Sequence, residues 1–239
     1  MKVNCSIVVF CFAYLFFPYS SQAAALQVSP VSLDLTVPER AASVKLRNDS
    51  SEPTNVQARV FIWTQVNGED QLTPAVDVIA TPPAVKVQPG KTYTIRVTHL
   101  EGSAKQPEES YRLLIDELPD INVRRRNASV NMVARYSLPV FFSKRSAASD
   151  LQWKVRQHGK NVQITATNTG TRHAKIANLM AVAGNKQISF GRGLNGYVLA
   201  GSTVQWEAKA GKFKQGDQLT ITAKGDDYAV KATAVVSGG

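Results

Sequence analysis

Three histidines, His99, His158 and His173, are the side chains best suited to proton transfer near neutral pH, yet their sequence surroundings give them no such task. None has a carboxylate or serine beside it in a recognisable catalytic motif, and no two are spaced as metal ligands. They read as isolated surface histidines. The acidic residues form no pair marked out for general acid–base work. Both cysteines, Cys5 and Cys11, fall in an apolar N-terminal stretch. Asn48-Asp-Ser50 and Asn127-Ala-Ser129 match the glycosylation acceptor pattern, but so does much loop sequence, and neither carries weight. The sequence therefore points to no catalytic residue, no metal site, no cofactor and no small-molecule substrate.

The chemistry it does suggest is that of backbone pairing. From Val130 to Phe142 the chain reads Val-Asn-Met-Val-Ala-Arg-Tyr-Ser-Leu-Pro-Val-Phe-Phe. Val130, Met132, Ala134 and Tyr136 alternate with Asn131, Arg135 and Ser137, which puts one apolar row on a single face of an extended strand. Leu138 to Phe142 loses the alternation and looks buried on both sides. Pro139 has no N–H, so the strand should lie on a sheet edge or at a bulge there. A long apolar edge strand is an aggregation hazard unless something pairs with it. Either the row fills its own sandwich, or part of it is offered to a partner.

The elements around that strand are almost all short strands. Leu26 to Val37, Ser43 to Asn48, Asn55 to Val66, Asp77 to Pro83, Val85 to Gln88, Thr92 to Thr98 and Ser110 to Leu118 precede it. Asn67-Gly68 is a strong hairpin signal and Pro89-Gly90 a turn. Beyond it come Gln152–His158, Asn161–Asn168, Ala174–Val182, Tyr197–Leu199, Thr203–Ala208, Gln218–Lys224 and Tyr228–Val236, punctuated by glycines. No segment carries a long 3.6-residue period. The fold class is all-β, two immunoglobulin-like β-sandwiches in sequence, without the cysteine pair of an antibody domain. Residues 26–144 form the first, the short polar segment 145–150 a linker, and 151–239 the second.

Residues 1–25 read as a cleaved signal peptide: Lys2 is the charged start, Cys5 to Phe17 is too short to span a bilayer, and Ala23-Ala24-Ala25 offers a cleavage site. Cleavage after Ala25 is expected, after Ala23 as second choice. The exported chain then has no cysteine, which excludes thiol catalysis and cysteine–metal sites. Its charge is uneven: residues 26–144 hold 14 basic and 13 acidic residues, and residues 145–239 hold 13 and 5. The surplus could attract an acidic partner or a membrane surface. Nucleic acid is not expected, because the basic residues are scattered between apolar ones. Arg124-Arg-Arg126 reads as a solvated turn.

Several stretches together resemble the periplasmic chaperones of the chaperone–usher pathway. They are Asn48, Val78-Ile-Ala-Thr-Pro-Pro83, Pro89-Gly90 followed by Arg96, Ile115-Asp-Glu-Leu-Pro119, the strand from Val130 with its Pro-Val-Phe-Phe end, and Asp226-Asp227-Tyr228. The resemblance covers the chain after the signal peptide, in order. It implies two immunoglobulin-like domains arranged as a boomerang, a periplasmic location, and pilus or fimbrial subunits (pilins) and an outer-membrane usher as partners. A pilin lacks its final strand, and the chaperone lends one of its own: Val130, Met132, Ala134 and Tyr136 would enter the open groove. The exposed edge also leaves room for self-association. Familiar members anchor the subunit's C-terminal carboxylate with a basic pair, but Ser32 and Pro139 fall near those positions here. Trp63 to Asn67 and Tyr111 to Pro119 look more like the archaic branch. Arg112 is the first candidate for the anchor and Arg135 the second. Arg96, Glu117, Lys144 and Asp227 resemble the family's structural ion pairs. The alternative is a secreted immunoglobulin-like adhesin or carbohydrate-binding module, with an exported hydrolase third.

Overall fold

Pro30 decides how the chain starts. The computed structural model describes residues 26–101, 105–119, 133–209, 213–225 and 229–237; the expected signal peptide, residues 1–25, lies outside them. Leu26 to Val37 is not one strand but two, β1 (Leu26–Ser29) and β2 (Leu33–Thr36), on either side of a cis Ser29–Pro30 bond. A proline cannot donate to a ladder, so the chain leaves one sheet and enters the other there. β1 joins β3 (Ala41–Asn48), which pairs onward with β8 (Thr92–His99) and β6 (Val78–Thr81).

The opposite sheet runs β2, β10 (Arg135–Ser143), β9 (Glu108–Leu118), β4 (Thr54–Val66) and β5 (Glu69–Pro74), with β7 (Ala84–Val87) also on β4. Asn67 and Gly68 join β4 to β5 with φ of 54° and 84°, the two positive values a tight hairpin of this hand requires. Along the strands that face each other, every second residue points between the sheets. Val44, Leu46, Ile95 and Val97 from one face meet Val56, Leu113, Ile115, Leu138, Val140 and Phe142 from the other, all buried.

The second sandwich holds β11 (Leu151–His158), β12 (Asn161–Asn168), β13 (Ala174–Ala183), β14 (Lys186–Ser189), β15 (Leu194–Val198), β16 (Thr203–Lys209), β17 (Gln218–Lys224) and β18 (Ala229–Ser237). Its order is β14-β13-β17-β18-β11-β12-β16, with β15 on β13. The two layers are stitched by a short parallel pairing of Val155 and Arg156 with Val236 and Ser237. Val162, Ile164 and Ala166 pack against Ile176, Leu179, Ala181, Leu219 and Ile221. Among the described residues every regular element is a strand.

Both sandwiches close over a buried asparagine in the same way. Asn48, at the end of β3, donates from Nδ2 to the Glu52 and Val87 carbonyls and accepts from the Ser50 N–H. Asn168, at the end of β12, donates to the Arg172 and Val198 carbonyls and accepts from the Gly170 N–H. A fully buried amide is kept only because all these groups are paired. Asn168 also accepts from the Asp150 N–H, so the connecting segment is tied to this turn. A Cβ on Gly170 would stand 2.4 Å from the Ala148 carbonyl oxygen, which is why glycine is needed there.

Candidate functional site

β10 is paired along its whole length on one side and along less than half of it on the other. β9 covers Arg135 through Ser143, whereas β2 covers only Val140 through Ser143. Among the described residues no strand pairs with the outer side of Arg135 to Pro139. The Glu117 N–H donates to the Ala134 carbonyl, so even-numbered residues turn their backbone groups towards β9. Arg135 and Ser137 therefore present N–H and C=O outward. The N–H that Pro139 lacks would have pointed to this open edge, where no intramolecular bond is lost.

Side chains of the even row face inward. Leu138, Val140 and Phe142 fill the home core, Tyr136 packs at its rim, and Ala134 is half-buried beyond it. The Tyr136 hydroxyl donates to the Leu26 carbonyl, 2.7 Å away. Tyr136, expected in the lent row with Val130, Met132 and Ala134, is thus tied to its own sandwich in the free chain, because the row continues the home core. Val130 and Met132 lie outside the described residues. The neighbouring Val133 is 53% exposed.

Where the open edge ends, the two sandwiches meet. Phe141, on the outer face of β10, packs with Trp63, Tyr197 and Leu199 in a small buried cluster. Burying side chains of this size is worth about 1.5–3 kcal/mol each. Gln65 clamps the same contact, donating from Nε2 to the Tyr197 carbonyl and accepting from the Leu199 N–H, each at 3.0 Å. Arg112 stands opposite Pro139 in the β9–β10 register. Its guanidinium carbon lies 3.6 Å from the Trp63 ring centre and 5.8 Å from that of Tyr197. Asp70 approaches it at 3.5 Å, too long for a strong bidentate pair. Burial lowers the Arg112 pKa, with Asp70 and Tyr197 opposing, but a guanidinium stays charged. The cleft thus holds a stacked, largely desolvated cation.

The profile of the pili and flagellar-assembly chaperones, PapD N-terminal domain, matches residues 25–146, just over half of the chain. The chain belongs to that chaperone family. This is not a family of enzymes. No curated protein sequence matches the chain. Among solved structures, the archaic CsuC–CsuE chaperone–tip subunit pre-assembly complex of Acinetobacter baumannii aligns with a TM-score of 0.68 at 24% identity, covering 90% of this chain and 100% of that one. The CupB2 chaperone of Pseudomonas aeruginosa gives 0.59 at 18% identity, covering 88% and 100%. The Salmonella enterica complex of SafA pilin with the SafB chaperone gives 0.61 at 13%, covering 89% and 98%. At these identities the likeness is one of fold.

In the chaperone, the other residues singled out from sequence are placed as follows. Arg135 does not share the cleft with Arg112. It binds the Asp116 carboxylate, which Arg59 also holds at 2.6 Å, so its charge is already matched. Burial raises the Asp116 pKa, but hydrogen bonds and charge from Arg135 and Arg59 outweigh it and hold the group below the usual range. A depressed carboxylate stabilises the fold at neutral pH, and that contribution is lost as the pH falls below about 4. Asp116→Asn should therefore lower the urea midpoint at pH 7, and that penalty should shrink as the pH falls below about 4. A gap between the proteins that stays constant across the range would contradict the sign.

Among the described residues the expected pair of Arg96 with Glu117 is not made. Arg96 is exposed on β8 and Glu117 lies on β9 in the opposite sheet, and no salt bridge joins them or Lys144 among the described residues. Asp227 lies outside those residues. The sandwiches are instead joined through Glu108. Its carboxylate accepts from the Ser143 hydroxyl, the His173 N–H and His173 Nδ1 at 2.8, 2.6 and 2.9 Å. Arg172 adds an ion pair to Asp34 at 2.7 Å. The reading of all three histidines as surface residues is also corrected. His158 is exposed, but His99 and His173 are buried and each bonds a glutamate.

Proposed function

We propose that this chaperone binds pilus subunits in the periplasm by lending them the open half of β10, and passes them to an outer-membrane usher. One observation carries the reading: the outer edge of Arg135 to Pro139 is unpaired, directly upstream of the place where β2 begins. A subunit strand laid parallel to β10 would take that edge as β2 does further on, with side chains from Ala134 back to Met132 and Val130 entering its groove. Its C-terminus would then end near Pro139, opposite Arg112. There the carboxylate would find a stacked cation in place of water.

Residues 1–25 serve as the cleaved export signal, residues 26–144 as the subunit-binding domain, 145–150 as the linker and 151–239 as the second domain. No catalysis, nucleotide or metal is needed for the exchange. An adhesin or carbohydrate module is disfavoured, since the large aromatics Trp63, Phe141 and Tyr197 are enclosed between the sandwiches and not displayed on loops.

Co-expression with a candidate pilin tests the reading: a one-to-one complex should form, and the pilin should resist protease. Arg112→Ala should weaken that complex. A hydrogen bond to a charged group is worth about 1.5–3 kcal/mol, or roughly ten- to a hundredfold in affinity. An unchanged yield of complex would remove Arg112 from the anchor.

A further inference from the structure

We propose that Asp77, His99 and Glu109 form a binding site for one divalent transition-metal ion, with zinc the ion its donors suit best. Asp77 precedes β6, His99 ends β8 and Glu109 lies near the start of β9, so three strand ends converge at the end of the first sandwich. One donor atom from each residue lies within 4.8 Å of the other two. His99 Nε2 is 2.8 Å from Glu109 Oε2. The Tyr111 hydroxyl donates to Asp77 Oδ2 at 2.7 Å and stands 3.3 Å from Glu109 Oε2, which holds both carboxylates towards the imidazole. Donors this close need only small side-chain rotations to surround an ion at about 2.0–2.2 Å.

The unpaired atoms point the same way. His99 is only 2% exposed, and its ring Nε2 bonds into the cluster. Its Nδ1 and the buried Asp77 Oδ1 have no partner. Buried polar groups are normally satisfied, so the aspartate oxygen left short beside the imidazole requires an explanation. An imidazole with two carboxylates matches the charge of a divalent ion and leaves one position for water. The nitrogen donor favours zinc over magnesium or calcium, which prefer oxygen alone. Bound metal would staple β6, β8 and β9 where the first sandwich approaches the second.

The test uses the full exported chain, stripped with a chelator and titrated with zinc alone by calorimetry. One ion per chain should bind saturably, and the melting temperature should rise with zinc. Asp77→Asn and Glu109→Gln should each weaken binding tenfold or more, whereas His158→Gln, on the exposed face of the other sandwich, should leave it unchanged. Cobalt in place of zinc gives a second readout on the unmutated chain, a visible absorption band of the strength expected for low-coordinate cobalt. The proposal is overturned if the folded wild-type chain takes up no stoichiometric ion. It is equally overturned if binding survives both carboxylate replacements or disappears with His158→Gln.

Discussion

Replacing Val130 and Met132 together by aspartate is expected to abolish capture of a pilin while the chaperone's own melting temperature stays unchanged. Large apolar side chains buried in a subunit groove are worth about 1.5–3 kcal/mol each. Losing two costs roughly 3–6 kcal/mol, a hundredfold to ten-thousandfold in affinity, before the penalty for burying a charge is added. The home core should not notice, because its share of the even row begins at Tyr136 and continues through Leu138, Val140 and Phe142. Tyr136→Phe is the matched control. It removes the hydroxyl bond to the Leu26 carbonyl and should cost about 0.5–1.5 kcal/mol of folding stability with little change in subunit binding. Calorimetry with a purified pilin and thermal melts of the free proteins separate the two effects. Retention of tight binding by the double aspartate variant would end the strand-lending mechanism.

Alternation made the strands readable because it reports which face a side chain takes. Asn161–Asn168 and Gln218–Lys224 appear in the structure with the bounds their alternation suggests. Asn67-Gly68 forms its hairpin because few other pairs adopt two positive φ values so cheaply. The same pattern is silent about which sheet a strand joins. Leu33 and Leu35 alternate as an edge strand of either layer would, and only the break at Pro30 separates β2 from β1. β14 carries a single buried apolar residue, Ile188, too little for a period.

Alternation is silent, too, about whose core a row fills, and Tyr136, at the rim of the home core, continues the same period as Ala134 beyond it. The ion pairs were beyond reach for another reason. Asp116 meets Arg59 across 57 residues of chain and Glu108 meets His173 across 65, distances over which composition carries no register. One signal was available. His99 continues the buried row of Ile95 and Val97 at a period of two, so its burial followed from its position.

Glu108→Ala should produce the largest loss of stability in the chaperone, about 3–5 kcal/mol, because it breaks a buried charged network and leaves its partners behind. The Glu108 side chain is 1% exposed. Its removal strands the Ser143 hydroxyl, the His173 N–H and the His173 ring nitrogen. Arg172 would keep Asp34 but lose a second carboxylate 3.8 Å away. Glu108→Gln keeps one acceptor and much of the shape, so its loss should be smaller.

The effect should reach past stability. His173 stacks on Phe141 with ring centres 3.5 Å apart, and Phe141 shares the cluster that places Tyr197 beside Arg112. Loosening the junction should therefore expose the segment from Lys144 to Asp150 to protease and weaken subunit binding without touching the lent strand. Urea unfolding measures the first effect, limited proteolysis the second. If both match the unmutated chaperone, the aromatic cluster and the Gln65 clamp hold the two sandwiches together without the carboxylate, and the polar network is incidental to the cleft.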